Sequence, residues 1–449
     1  MEREPIPPAR APGIPAIALS TTARLLARAR TVGPLSPEQR AALAVSWRTL
    51  WRTRALVWAT GLAGLVVLGR APRWRGFDPG GVTVPFGRLG DALVAPGARW
   101  DAVWYLAIAH DGYRDPARAA FFPLYPLVLR GVSEVVGSPL LAGLGVSFAA
   151  FGVALYLLHR LVSIELGAET ARLTVSLVAV FPAAYCFSAV YSESLFLVLS
   201  VGAVYAARLD RWALAGLAGS LAAASRSAGV VLLVPLTLMY FYGPRGGAEP
   251  APPGGRLRRP NYPVRPDVLW LGLVPLGLVT FMGYLAASGG DLMAPFEAQA
   301  VWLRHFAGPF AGAWDGAVAA FDGARQLLAG SRTPVYFGIA AGDPFVIGAQ
   351  NLLLFASLLF AVAGTVGALR RLPVAYGAYL IVALALPLSY PVVAQPLMSL
   401  PRFLAVLFPL HMWLAMWARE RGWERHVLVS CAVLLALATA QFAAWEWIA

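Results

Sequence analysis

The stretch Arg99–Arg114, RWDAVWYLAIAHDGYR, holds two aspartates, a histidine and two arginines among tryptophan, tyrosine and aliphatic residues. Asp101, Trp104, Tyr105 and Ile108 stand at i, i+3, i+4 and i+7, so one helical face carries a carboxylate and two aromatics. Tryptophan and tyrosine favour the headgroup level of a bilayer. The segment is therefore expected as a helix at a membrane surface, with Asp101 and Asp111 at the rim. A carboxylate within reach of a hydroxyl can serve as general base. Arginine grips phosphate through paired donors. The residue types point to chemistry on a lipid phosphate, with a substrate part lipid and part polar. The following FFPLYP (121–126) has two prolines three residues apart, which are expected to break any helix and fix an extended or turned piece. Phe121, Phe122 and Tyr125 would either anchor that piece in lipid or line the approach of an isoprenoid chain.

Three further charges stand alone in apolar surroundings: Glu193 in YSES, Arg226 in AAASRSAG and Arg402 in MSLPRFL. An ionised group within the membrane costs about 2.5–3.5 kcal/mol on insertion scales, so it usually faces a cavity, a partner or a ligand. Each of the three could equally cap a helix or sit in a solvated turn. With the Asp101 segment they form four polar features that could converge on one site.

The elements that must position these residues are membrane helices. Of the 449 residues, 59% are hydrophobic and 13% charged, and runs of about 20 apolar residues recur. We read all-α, polytopic architecture with apolar spans near 55–70, 137–158, 173–190, 194–207, 212–225, 228–243, 268–287, 350–369, 373–391, 403–418 and 427–447. The N-terminal tail, 1–52, is rich in Arg, Pro and Ala and carries an amphipathic piece near 36–52; the transmembrane domain occupies 53–449. The chain has 36 arginines, no lysine and a net charge of +13. With the N-terminus in the cytoplasm, 23 of the 36 arginines fall on inside segments, as the positive-inside rule requires. The basic balance is then a matter of topology, and no nucleic-acid partner is expected. Two long loops, 71–136 and 288–349, lie outside, and the second contains PFEAQAVWLRHF (295–306), expected as an amphipathic interfacial helix. The inside segment 244–266 reads as a linker. Glu193, Arg226, Arg402 and the Asp101 segment all fall on the outside face. Cys186 and Cys431 sit in apolar runs and read as core residues. No residues show metal-site spacing, and no metal or other cofactor is expected.

The stretch from Arg99 to Arg130, with AVYSESLFL, AAASRSAGV and SLPRFLAVLFPL, resembles the PIG-V family of mannosyltransferases over roughly 50–420. The resemblance implies a GT-C-type glycosyltransferase fold, with about 11 transmembrane helices and two long extracytoplasmic loops. It implies a polyprenyl-phosphate sugar donor used outside the cytoplasm and an acidic catalytic residue in the first outer loop, which the motif places at Asp101. Asp101 would deprotonate the acceptor hydroxyl, and a single displacement would invert the anomeric centre. Arg226, Arg402 and Arg304 are the candidates for holding the leaving phosphate. Arg99, Trp100, Trp104, Tyr105, Phe122 and Tyr125 are carried over as substrate-binding residues. Glu193 would orient the acceptor or pair with an arginine, and His110 and Asp111 would support the site from behind. GPI anchors are a eukaryotic product while this composition looks bacterial, so the acceptor stays open among glycolipid, glycan and protein. Two other readings stay open. A lipid or glycolipid flippase would spread polar residues through the membrane depth, and an inactive membrane partner would keep the fold without the activity.

Overall fold

The computed structural model describes residues 34–72, 74–246, 259–336, 342–446 and 448. Most of the expected tail 1–52, the middle of the linker 244–266 and part of the loop 288–349 lie outside the described residues. The described residues from Ala44 onward form one compact unit.

The main helices are α1 (Pro37–Leu68), α2 (Asp101–Asp111), α3 (Leu124–Val136), α4 (Pro139–Leu166), α5 (Ala168–Val180) and α6 (Glu193–Arg208). They continue with α7 (Trp212–Ser225), α8 (Leu233–Tyr242), α9 (Leu276–Ala287), α10 (Ala311–Leu328) and α11 (Pro344–Arg371). The last are α12 (Val374–Leu388), α13 (Leu400–Ala405), α14 (Phe408–Glu420) and α15 (Glu424–Ala443). The one β contact outside named strands among the described residues is an isolated antiparallel bridge between Arg304 and Val392. By length and composition α4, α11 and α15 can each cross a membrane, and Pro266–Leu273 with α9 forms a fourth candidate bent by 43°. The chain is a multi-pass membrane protein.

Several expected boundaries move, each for a local reason. The amphipathic piece and the first span are one continuous helix, α1, with no proline inside it. Arg54, the last arginine before the first expected span, is buried along α1 and bonds the carbonyls of Ala179 and Ala184. The span expected over 173–190 stops at Val180, because Pro182 cannot donate a backbone hydrogen bond and disfavours helix at the residue before it. Residues 181–192 then run as turns and a 3-10 segment. The span expected over 403–418 is divided between α13 and α14. Pro409 lacks the N–H that Ala405 would need, and the His411 ring nitrogen Nε2 lies 3.3 Å from that carbonyl instead. The prolines of FFPLYP start a helix and do not forbid one: α3 begins directly after Pro123, with Pro126 in the first turn, where backbone N–H groups have no helical partner. The interfacial helix expected over 295–306 is a short turn, Ala294–Glu297, followed by a 3-10 segment, Ala298–Trp302.

Packing brings the breaks together. α4 lies along α5 and α6, α6 along α7, and α5 against α14. α10 crosses α11 closely at paired glycines; a Cβ on Gly323 would lie 2.7 Å from the Gly348 carbonyl oxygen. The interrupted stretches Ala184–Ser188 and α13 pack against each other.

Candidate active site

Three short segments place the charged residues, and all three carry backbone strain. Asp101 is the first residue of α2, directly after Trp100 at φ +52°. Arg402 lies in α13, whose N-cap, Ser399, has φ +68°. Arg304 follows Leu303 at φ +57°. Only five non-glycine residues among those described have positive φ, and these are three of them. Such conformations cost on the order of 1–3 kcal/mol each and persist where the surrounding structure enforces them.

Asp101, Arg402, the start of α6 and Arg226 at the end of α7 meet in one ionic cluster. The Asp101 Oδ2 lies 2.7 Å from an Arg402 NH2 nitrogen. The Arg402 Nε lies 2.8 Å from Glu193 Oε1, and the same oxygen lies 2.6 Å from Arg226 NH1. Glu193 is 1% exposed, so it is the buried anchor that both guanidinium groups share. Arg402 also rests over the Tyr191 ring at 5.0 Å, and Arg226 over Phe403 at 5.6 Å. Ser192 Oγ joins Arg226 to the Tyr105 hydroxyl, at 3.4 and 2.8 Å. Arg304 donates to the carbonyl oxygens of Tyr390 and Met398 at 3.2 and 3.1 Å. Burial brings its guanidinium down to about 10, still charged at neutral pH.

A cavity of about 190 Å³ opens beside this cluster. Asp101, Arg226, Arg304 and Arg402 all line it, together with Trp100, Tyr105 and Phe122. An adjoining apolar recess of about 140 Å³ shares Arg226, Gln299, Arg304 and Phe403 with it. Arginines facing a space, with one carboxylate among them, can hold an anionic group and accept a proton from a neutral one. Among the described residues no three of His, Cys, Asp or Glu gather as a metal shell would.

The other expected site residues lie elsewhere. Arg99 is fully buried, donates to the carbonyls of Ala95, Ala98 and Ala443 and stacks over Trp445, so it fastens the chain ahead of α2 to the end of α15. The Tyr125 hydroxyl donates to the Gly143 carbonyl at 3.0 Å and pairs with Ser147. Trp104 stacks on Phe121 and meets Trp302 edge-on, one layer behind the cavity wall. His110 and Asp111 pair with each other at the far end of α2, where the His110 side chain is 82% exposed. That contact and nearby Arg118 hold the Asp111 carboxyl below its usual range. Neither residue lines the cavity. Tyr191, Gln299, Trp302 and Ser399 do line it and were not singled out from sequence. Gln299 and Trp302 stand in the same AQAVWLRHF run as Arg304, and Tyr191 directly precedes the SES of the Glu193 motif.

Residues 88–241 match the family model described as Mannosyltransferase (PIG-V). Over that segment the chain is similar to the PIG-V mannosyltransferases. The segment contains Asp101, Glu193 and Arg226; Arg304 and Arg402 come from beyond it. GPI mannosyltransferase 2 of Cryptococcus neoformans is 29% identical over 160 residues, covering 33% of this chain and 38% of that protein. GPI alpha-1,6-mannosyltransferase 2 of Mus musculus is 33% identical over 157 residues, covering 32% of each. The matches thus span about a third of the length of these curated relatives. A crystal structure of the Archaeoglobus fulgidus oligosaccharyltransferase is similar at a TM-score of 0.41 and 12% identity, covering 88% of this chain and 56% of that one.

Proposed function

We propose that the protein is a membrane glycosyltransferase with a GT-C-type fold. It moves a sugar, mannose in the first instance, from a polyprenyl-phosphate donor to a hydroxyl of an extracytoplasmic glycolipid, glycan or protein. The observation that carries this reading is the convergence of Asp101 with Arg226, Arg304 and Arg402 around one cavity, from four separate stretches of chain. The donor phosphate sits against the arginines, with its isoprenoid chain in the apolar recess they share. Asp101 takes the proton of the acceptor hydroxyl. The acceptor oxygen forms the new bond to the anomeric carbon as the bond to the phosphate oxygen breaks, and polyprenyl phosphate leaves with that electron pair. One displacement inverts the anomeric centre. The arginines stabilise charge as it develops on the leaving oxygen, the type of contribution that is usually largest in group transfer.

A flippase would need polar groups open to substrate along its depth. Glu165 and Arg208, at the opposite end of α6 from Glu193, form a pair whose side chains are 0% and 3% exposed, which favours the enzyme reading. The test is direct. The purified chain in lipid nanodiscs is given polyprenyl-phosphate mannose, and sugar release to water or transfer to an added acceptor is followed. Activity in the parent and its loss in Asp101→Asn are expected; an Asp101→Asn variant as active as the parent removes the assignment of the base.

A further inference from the structure

Asp101 does not stand free. Its Oδ2 is engaged by Arg402 at 2.7 Å, and both side chains are only 19% exposed, so the pair is partly shielded from water. That oxygen must part from the guanidinium before it can take the proton of an acceptor hydroxyl. Arg402 has a second tether, from Nε to Glu193 at 2.8 Å, and its planar face lies on Tyr191. The Glu193 tether is buried; the Asp101 tether borders the cavity. The nitrogen that holds Asp101 can therefore swing toward the cavity while Nε stays on Glu193. The charges favour that swing. Asp101 and Glu193 offset Arg226 and Arg402, and Arg304 leaves one positive charge over. A sugar-phosphate diester brings one negative charge.

We propose that Arg402 is a switch between two anionic partners: it holds Asp101 in the empty enzyme and surrenders it when the donor phosphate arrives. The base is released by the donor, so donor binds first and the acceptor meets a competent Asp101 only afterwards. Arg402 is then a positioning residue for Asp101 in one state and a phosphate ligand in the other. The inference rests on the glycosyltransferase reading for the nature of the donor.

If Arg402 must leave Asp101 to grip phosphate, part of the binding energy is spent breaking that pair. Removing the aspartate's charge removes the cost. The probe is polyprenyl phosphate, the donor's leaving group, titrated into the full chain in nanodiscs without any acceptor. Asp101→Asn is expected to tighten its binding about tenfold, within the usual range of coupling between sites. Simple repulsion between Asp101 and phosphate would also tighten it, and a double-mutant cycle separates the two causes. In an Arg402→Gln background, Asp101→Asn should change the affinity less than twofold. An equal gain in both backgrounds overturns the switch while leaving the donor reading intact. No gain in Asp101→Asn alone overturns it as well, and that arm stands even where Arg402→Gln fails to fold. A parent that does not bind polyprenyl phosphate defeats both the switch and the reading beneath it.

Discussion

The two ends of α6 make a controlled comparison. Glu193 opens the helix and Arg208 closes it, about 22 Å apart along the axis. Each end holds a buried carboxylate–guanidinium pair. At the Arg208 end, Arg208 lies 2.7 Å from Glu165 Oε1, and the Tyr376 hydroxyl donates to the same oxygen at 3.2 Å. Arg208 also donates to the Gly246 carbonyl. Those contacts tie α4, α6 and α12 to the start of the linker and leave almost nothing exposed. At the Glu193 end, one carboxylate is shared between two arginines, and those arginines face a cavity with Asp101 opposite. Burial alone therefore does not mark a site. What separates the ends is whether the charges have unspent capacity directed at a space.

Breaking each end should have a different signature. The largest effect is expected from Asp101→Asn, which keeps the shape and removes the proposed base; sugar transfer should fall by about 10²–10⁴-fold with little change in thermal unfolding. Next comes Glu165→Ala at the sealed end, which takes the carboxylate from a buried, charged Arg208. It should cost about 3–5 kcal/mol of stability, read by thermal or denaturant unfolding in detergent, with the affinity for polyprenyl phosphate unchanged in the folded fraction. Arg226→Gln removes a charged donor from the cavity. The affinity for polyprenyl phosphate should fall by about 10–100-fold, matching the roughly 1.5–3 kcal/mol of a charge-assisted hydrogen bond. The smallest effect is expected from His110→Ala at the exposed end of α2: unfolding within about 0.5 kcal/mol of the parent and transfer unchanged. A large loss of transfer in His110→Ala, or a purely structural phenotype in Arg226→Gln, would erase the distinction between the ends.

Much of the cavity's charge was legible because charges are rare in this chain. Glu193, Arg226 and Arg402 stand out as isolated ions in apolar runs, and Asp101 by its place in an aromatic helical motif. His110 and Asp111 were drawn in by sequence proximity to Asp101. They lie at the other end of an eleven-residue helix, about 13–15 Å along its axis, where they serve each other. Trp302, Gln299 and Tyr191 were not legible, because a tryptophan, an amide or a tyrosine in a membrane protein has many ordinary uses. Only the approach of the 295–306 segment to α13 gives them a shared cavity. The interrupted helices were legible in principle. Pro182 and Pro409 stand inside runs read as continuous spans, and the missing backbone donor is written in the sequence. Apolar length outweighed it in the reading, although the two breaks are what turn Glu193 and Arg402 inward.

The left-handed backbone at Trp100, Leu303 and Ser399 bears on how this protein can be improved or damaged. Glycine at Leu303 or Ser399 would adopt the same angles without the steric penalty, so a screen for heat tolerance alone would be drawn to these two; at Trp100 it would also remove the ring packed on Phe77 and Trp445. A glycine at Leu303 or Ser399 would also loosen the backbone that aims Arg304 or Arg402. If the proposed transfer is this protein's activity, hardier variants found there should be slower at it, and the most active natural sequence need not be the most durable one.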